Sequence, residues 1–290
     1  MDLLIALLLG VMSGVIGFLP VSSSGHMVIL EKLTGVTYPR FLFHSSVHGG
    51  LIIAVLVTMR RDVTRLIGEI LLMLRGLTGR AARLIPSRRK KKSPESKRPQ
   101  KTNYRRLLLL LAVSCVPTAV LGLLLQKAAE SMSGSVLYTG IGLMLTGIVL
   151  FVTDMVPEGN CPLKDLPLWK MVCAGAAQGV AVLPGLSRSA LTITAGIFAG
   201  LRKKTAVRIS YLMFILPGAI AFIYEIKRGI SEGAFAGNVP YICAAGFLGA
   251  AISGGFMMKR MVRLVIARPF RTFAVYCIAA GVAALIISFI

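Results

Sequence analysis

Long apolar runs dominate this chain and constrain its fold more than any other feature. The apolar segments cover residues 3–18, 41–59, 107–126, 136–153, 171–183, 206–226, 239–258 and 272–290. Only 15% of the 290 residues are charged, against about 25% in soluble domains, and the mean hydropathy is +0.78. In lipid a spanning segment must satisfy its own backbone hydrogen bonds, as an α-helix does. The sequence therefore predicts an all-α integral membrane protein with a single membrane domain over residues 1–290.

Two of the apolar segments are too short to cross a membrane. Residues 3–18 and 171–183 fall below the roughly 20 residues that a spanning helix needs. Each runs into a polar stretch: the first polar island, residues 18–26 (FLPVSSSGH), and the second polar island, residues 183–192 (LPGLSRSALT). Broken backbone at membrane depth is tolerated only where protein or a water-filled cavity satisfies it. We therefore expect about six transmembrane helices plus two re-entrant helical hairpins whose polar islands line an interior cavity.

Basic residues are concentrated in one segment of the chain. The formal net charge is +22, and 16 of the 33 lysines and arginines lie in residues 60–106, among them the run from Arg88 to Lys92. Clustered positive charge is typical of the cytoplasmic side of membrane proteins and is attracted to anionic lipids by about 1 kcal/mol per charge. Residues 60–106 are therefore predicted to form a basic cytoplasmic loop in contact with anionic lipid headgroups. This distribution argues against nucleic acid as a partner.

The basic loop also orients the rest of the chain. With residues 60–106 inside, the helical pair 107–153 leaves and returns, and the basic residues at 202–204 and 259–271 also fall inside. The first hairpin then enters from outside and the second from inside, so that the two are opposed.

An internal similarity accompanies this opposed arrangement. Aligning Pro20 with Pro184 places Ser23 over Ser187. Inverted repeats whose broken helices meet at the membrane midplane are a common way to build a substrate site. The predicted segments are 1–59 for the first repeat, 171–226 for the second repeat and 239–290 for a C-terminal helical pair.

The two islands carry groups that favour an anion. Unpaired N–H groups at helix starts are partly positive, and serine or threonine hydroxyls beside them add donors. Arg188 adds a planar fork of donors suited to phosphate, and His26 can exchange protons near neutral pH. The alternative is that the serines only satisfy the helix breaks and His26 caps a turn. Two opposed islands with a buried arginine favour a phosphate-like ligand.

Both islands resemble the motifs of the undecaprenyl-diphosphatase (bacitracin-resistance) family of bacterial membrane proteins. The resemblance rests on residues 18–26, 184–192 and 48–54 (HGGLIIA) and on Gly200, Leu201, Ala206, Ser210 and Pro217. It implies six spans with two re-entrant hairpins, and hydrolysis of undecaprenyl diphosphate to undecaprenyl phosphate and inorganic phosphate at the outer face of the bacterial plasma membrane. That reaction recycles the lipid carrier for cell-wall synthesis and confers resistance to bacitracin.

The resemblance also implies roles for individual residues. Ser23 matches the essential serine, a nucleophile or phosphate ligand, and His26 matches the motif histidine, a proton donor or acceptor. Arg188 matches the arginine that holds a phosphoryl oxygen. These three are the candidate catalytic residues, and positioning and charge stabilisation dominate such phosphoryl transfer. The candidate phosphate-binding residues are Ser22, Ser24, Ser187, Ser189 and Thr192. Gln178 matches a family glutamine without an assigned role.

The chain departs from the family just before the first island. The family has two acidic or amide positions there, four apart, which are thought to bind a divalent cation and assist catalysis; this chain has Ser13 and Gly17. Mg²⁺ and Ca²⁺ prefer carboxylate oxygens, and losing a general base commonly costs about 10²- to 10⁴-fold in rate. A divalent cation (Mg or Ca) is thus expected from the family alone. Among the acidic residues, Glu31 and Glu225 come closest to replacing the pair, and neither is an obvious substitute.

Two functions from different classes therefore stay open. The first is a phosphatase that acts on undecaprenyl diphosphate, favoured by the intact serine, histidine and arginine positions. The second is a non-hydrolytic binder or transporter of polyprenyl phosphate, favoured by the inverted repeat and the missing acids. A small-solute channel is disfavoured because it would not require Arg188 or the serine clusters. A homodimer is left open.

Overall fold

Helices account for all the regular structure in the part of the chain that is described. The computed structural model describes residues 2–36, 38–78, 103–162 and 165–289, and no strand occurs among them. The helices are α1 (Asp2–Ile16), α2 (Ser23–Thr34), α3 (Arg40–Thr58), α4 (Arg60–Thr78), α5 (Tyr104–Met132), α6 (Val136–Asp154), α7 (Leu168–Val180), α8 (Arg188–Phe198), α9 (Lys203–Ser231), α10 (Val239–Ala267) and α11 (Phe270–Ser288).

Six of these helices are long and apolar enough to cross a membrane. They are α3, α5, α6, α9, α10 and α11, and their lengths run from 19 to 29 residues. This confirms the predicted all-α membrane architecture with about six spans. Helices α5, α9 and α10, of 29 residues each, extend past the predicted apolar segments at one or both ends, because polar flanking residues continue the same helices.

Short helices flank both polar islands. Helix α1 has 15 residues and α2 has 12, and the chain between them carries the first island; α7 has 13 and α8 has 11, with the second island between them. All four fall short of the roughly 20 residues of a full span. Each pair leads into a long apolar helix, α3 or α9, so the same order of elements occurs twice. The direction from which each pair enters the membrane stays a prediction.

The predicted basic loop, residues 60–106, is partly helical. Helix α4 covers its first 19 residues and follows α3 almost directly. Apolar Ile67 and Leu71 on α4 are exposed, while Asp62 pairs with Arg208 of α9 over 2.6 Å. The loop prediction was wrong for Arg60–Thr78 because the apolar residues recur at helical spacing between the basic ones. The run from Arg88 to Lys92 lies outside the described residues.

Helix α10 is packed between α1 and α3. The approach to α1 is close because both helices offer glycines: a Cβ placed on Gly10 would collide with the backbone carbonyl of Gly246. Small residues at such crossings let membrane helices approach each other, since lipid supplies no hydrophobic force between them. This packing fixes α1, and with it the start of the first island, against the spanning helices.

Adding one methyl group at this crossing should therefore be costly. We expect Gly10→Ala to lower the free energy of unfolding by about 1–3 kcal/mol through overpacking. The matched control is Gly122→Ala in α5, where the added methyl group would meet nothing within 4 Å. That control should be neutral or more stable, since alanine favours helix by about 0.5–1 kcal/mol. Thermal unfolding midpoints of both variants in the same detergent check this, and equal midpoints would contradict the packing.

Candidate active site

The two polar islands meet in the structure. Ser189 at the start of α8 donates from Oγ to the backbone carbonyl of Leu19 in the first island over 3.1 Å. A Cβ on Gly25 would lie 3.3 Å from the Cα of Gly185, so the two islands also touch through backbone. The N-terminal ends of α2 and α8 are thereby held side by side. The predicted residues of both islands thus belong to one place in the fold.

Serines organise the start of α2. Ser22 is the N-cap residue; its Oγ accepts from the Gly25 N–H over 3.3 Å and lies 3.4 Å from the Ser24 Oγ. Its φ of 61° puts a non-glycine residue in the left-handed region, which costs of order 1 kcal/mol or more and is concentrated at functional sites. The Ser23 side chain is half-buried and has no hydrogen bond among the described residues. Its hydroxyl is therefore available to a ligand.

The start of α8 is built in a similar way. Ser187 is its N-cap residue, and its Oγ accepts from the Ala190 N–H and lies 3.3 Å from the Ser189 Oγ. The Ser187 N–H donates to Thr146 Oγ1 over 3.0 Å, which ties the island to α6. Gly185 has a φ of 79° and passes close to the backbone of α6, where a side chain would collide. Glycine is therefore required for this turn.

Both helix starts leave backbone donors unpaired. The N–H groups of Ser23 and Ser24 on α2, and of Arg188 and Ser189 on α8, have no acceptor among the described residues. Leading N–H groups of a helix bear partial positive charge and are common anion sites. The two adjoining helix starts can therefore donate to the same anion.

Arg188 is the charged group of the site. One guanidinium nitrogen, Nη1, donates to the Ser210 carbonyl over 3.2 Å, and Cζ lies 4.1 Å from the centre of the Phe214 ring. No carboxylate pairs with it in the described part of the chain. A partly buried cation without a counter-ion is costly unless an anion binds beside it. Its other N–H groups are available to that anion.

Thr192 is engaged by protein groups rather than open to a ligand. Its Oγ1 donates to the Arg188 carbonyl over 2.8 Å and lies 2.6 Å from the Ser210 Oγ. These contacts fix the first turn of α8 against α9. Thr192 thus supports the turn that carries Arg188. Its contact with phosphate stays a prediction.

Protein groups occupy both ring nitrogens of His26. Nδ1 donates to the Ser22 carbonyl over 2.8 Å, because a carbonyl can only accept, and Nε2 lies 2.8 Å from the Tyr276 hydroxyl of α11. The two rings are stacked, with 5.6 Å between their centres. Burial lowers the pKa of His26, and the hydrogen bond to Ser22 offsets only part of that effect. The imidazole is therefore neutral at pH 7, with its lone pair turned to Tyr276.

The positions of the family's acidic pair do not fit a hard divalent cation. Ser13 is fully buried, and its hydroxyl has no partner in the described chain. A Cβ on Gly17 would lie 2.5 Å from the Ser13 carbonyl oxygen and 3.0 Å from the Leu51 methyl carbons, so that space is already filled. Within the described residues no three His, Cys, Asp or Glu side chains cluster as a metal site would. Neither position supplies the carboxylate oxygens that Mg²⁺ or Ca²⁺ prefers.

Glu31 does not replace the missing acids beside the two islands. Its carboxylate is 1% exposed and accepts from His44 Nε2 over 2.6 Å, Tyr38 Oη over 2.9 Å and Arg40 Nε over 3.1 Å. Burial alone would raise the pKa of Glu31, but these hydrogen bonds and the neighbouring positive charges outweigh it and leave the pKa below its ordinary value. Glu31 is thus an ionised anchor for α3. Glu225 lies beside Arg228, 3.8 Å away, and also outside the islands.

The structure adds residues that sequence reasoning missed. Tyr211 donates to the Phe18 carbonyl over 2.5 Å, and Thr146 and Tyr276 hold Ser187 and His26. Tyr276 is 250 positions from His26 along the chain, so no local pattern connects the two. Ser210 had a signal, because it belongs to the positions of the family resemblance. Gln178 is buried and donates to the Met213 carbonyl over 3.3 Å, which gives it a packing role beside α9.

Comparisons with known proteins match nearly the whole chain. The family model described as "Bacitracin resistance protein BacA" matches residues 6–283. The undecaprenyl-diphosphatase of Desulforapulum autotrophicum is 32% identical over 290 residues, covering 100% of both chains. The undecaprenyl-diphosphatase of Methanosphaera stadtmanae is 31% identical over 99% of both, and that of Desulfosudis oleivorans is 33% identical over 94% of both.

The hydroxyl of Tyr211 should be needed to hold the first island. Tyr211→Phe leaves the buried Phe18 carbonyl without its donor, which we expect to cost about 1–3 kcal/mol of unfolding free energy. The matched control is Tyr138→Phe, since Tyr138 is 43% exposed and its hydroxyl has no hydrogen bond in the described structure. Denaturant titration in mixed micelles measures both. A Tyr211→Phe variant as stable as the control would show that this contact does not hold the island.

Proposed function

We propose, because the chain belongs to the bacitracin-resistance (undecaprenyl-diphosphatase) family, that it hydrolyses undecaprenyl diphosphate to undecaprenyl phosphate and inorganic phosphate. The protein is then a multi-pass membrane hydrolase that acts on a phosphoanhydride and recycles the lipid carrier of cell-wall synthesis. Its expression should also confer resistance to bacitracin, as the family description states.

The unpaired Arg188 is the single observation that carries this proposal. Its guanidinium is held by the Ser210 carbonyl and the Phe214 ring, and it has no carboxylate partner in the described structure. The starts of α2 and α8 present four backbone N–H groups that have no acceptor among the described residues. A diphosphate supplies several oxygens with negative charge, which matches this set of donors. Arg188 would hold a phosphoryl oxygen and stabilise the charge that develops during transfer.

The serines divide into two groups by their contacts. Within the described part of the chain the Ser23 hydroxyl has no partner, and it would donate to a phosphoryl oxygen or attack the phosphorus. Ser22, Ser187 and Ser189 already make contacts that shape the two islands, with Ser24 beside Ser22. Their side chains hold the two turns in place, so the phosphate contacts there would come mainly from the backbone N–H groups of those turns.

A role for His26 in proton transfer requires a small rearrangement. Its Nε2 faces the Tyr276 hydroxyl, which must move or relay the proton before the imidazole can act. A tyrosine between the ring and the substrate would serve as that relay. His26 therefore stays a candidate acid or base at one remove from the phosphate.

The membrane placement follows from charge. We infer a bacterial plasma membrane location, with the basic residues of the 60–106 segment facing the cytoplasm and anionic lipid headgroups, and with the active site open to the outer side. A lipid diphosphate would then place its headgroup between the islands and its prenyl chain among the exposed apolar side chains of the spanning helices. A homodimer is compatible with this placement and is not needed to complete the site.

Loss of the Arg188 fork should reduce turnover strongly. We expect Arg188→Ala to slow phosphate release from undecaprenyl diphosphate in detergent by about 10²- to 10³-fold, as for removal of one positioned donor to a developing oxyanion. Arg188→Lys should recover only part of this, because lysine keeps the charge without the planar fork. The matched control is Arg271→Ala, whose side chain is 72% exposed and which should release phosphate at the wild-type rate. Equal rates for all four proteins would refute the assignment.

One observation supports a second function, the binding or transport of polyprenyl phosphate without hydrolysis. That observation is the absence of carboxylates at Ser13 and Gly17. If the protein only binds or transports polyprenyl phosphate, the wild type will retain that lipid but release no inorganic phosphate, with or without Mg²⁺ or Ca²⁺. The double variant Ser13→Glu, Gly17→Glu would then gain release. We expect the opposite: release by the wild type, and a double variant that is less stable, since Leu51 fills the space beside Gly17.

A further inference from the structure

A second histidine lies beside the candidate site, on the spanning helix α3. The ring of His48 is 6.3 Å from the ring of Phe214, the same ring that stacks against the Arg188 guanidinium at 4.1 Å. His48 therefore lies one aromatic ring away from the guanidinium that would hold a phosphoryl group.

The tautomer of His48 is fixed by the backbone. Its Nδ1 lies 2.7 Å from the His44 carbonyl oxygen, one turn earlier on α3. A carbonyl only accepts, so Nδ1 carries the hydrogen and Nε2 of the neutral ring carries the lone pair. Nε2 has no hydrogen-bond partner among the described residues. The ring is thus held in one tautomer, and its Nε2 is an acceptor without a partner in the described structure.

This arrangement differs from that of His26. Both nitrogens of His26 are occupied, Nδ1 by the Ser22 carbonyl and Nε2 by the Tyr276 hydroxyl. Of the two histidines near the islands, His48 is the one whose second nitrogen is unengaged in the described structure. A general base must reach the proton that it removes, and only His48 can do so without first breaking a hydrogen bond.

His48 also lies close to the position of the missing acids. Leu51, one turn further along α3, occupies the space that a side chain at Gly17 would take. Residues three apart on a helix are neighbours on one face, so His48 and Gly17 border the same region. A base on α3 would therefore act from the neighbourhood where a carboxylate at position 17 would act.

We propose that His48 is a catalytic residue of this protein, the general base of the phosphatase reaction, and this rests on the proposed function. Nε2 takes a proton from a water molecule as the water oxygen bonds to the terminal phosphorus. The bond between that phosphorus and the bridging oxygen breaks, and undecaprenyl phosphate leaves with the electron pair. The imidazolium then gives its proton to solvent, and orthophosphate is the second product.

The test uses a substitution that keeps one nitrogen and removes the other. The amide of His48→Asn can still donate to the His44 carbonyl, but it has no group at the position of Nε2. We expect phosphate release from undecaprenyl diphosphate to fall by about 10²- to 10⁴-fold, with retention of radiolabelled undecaprenyl phosphate on the immobilised protein within about threefold of the wild type. The same loss in His26→Asn without a loss in His48→Asn would overturn the proposal.

A rescue experiment separates chemistry from structure. Added imidazole should restore release by His48→Ala at least about tenfold, because it supplies the missing base; it should not restore release by Arg188→Ala, which lacks a phosphate ligand. Full activity of His48→Asn, or no rescue of a folded His48→Ala, refutes the role of His48 and leaves the phosphatase assignment intact. A wild type that releases no phosphate refutes the phosphatase assignment itself, and the proposal for His48 with it.

Discussion

The break in the backbone at the first polar island is the constraint on which the site depends. Between Ile16 and Ser23 the chain leaves the helical hydrogen-bond pattern within an apolar protein, where each unpaired carbonyl is costly. Three successive carbonyls accept hydrogen bonds from three different helices. The Phe18 carbonyl accepts from Tyr211 of α9, and the Leu19 carbonyl accepts from Ser189 of α8. The Pro20 carbonyl accepts from the Cys277 thiol of α11 over 3.8 Å. One of these groups, Ser189, also brings the second island to the break.

The positive charge of the site is organised by the same arrangement. Arg188 follows directly after the N-cap of α8, so the contact that holds Ser189 on the first island also fixes the turn that carries the guanidinium. Phe214 and the Ser210 carbonyl support it from α9. The guanidinium is therefore held in position before a ligand binds. A bound anion would offset the free-energy cost of burying its charge. The position of the Arg188 charge therefore depends on how one short helix, α8, is packed.

Much of the fold could be predicted from sequence because membrane segments follow simple rules of length and apolarity. The six spans, the two breaks and the nearness of the islands follow from apolar runs, from Pro20 and Pro184, and from charge placement. Helix α4 was missed because basic residues obscured its apolar repeat. The partners Tyr211, Tyr276 and Thr146 could not be predicted, since they come from helices far away in sequence and resemble ordinary core or lipid-facing residues. For the same reason nothing in the sequence distinguished the tautomers of His26 and His48, which depend on backbone carbonyls.

The contacts of α11 have a consequence for biogenesis. This last helix supplies both Cys277, beside the Pro20 carbonyl, and Tyr276, on the imidazole of His26. During synthesis these two partners are made 250 and 257 residues after the island residues that they contact. The entropic cost of closing such a long loop must be overcome before these contacts stabilise the fold. These contacts should therefore form late in folding. Until α11 docks, the imidazole of His26 and the carbonyl of Pro20 lack these two partners.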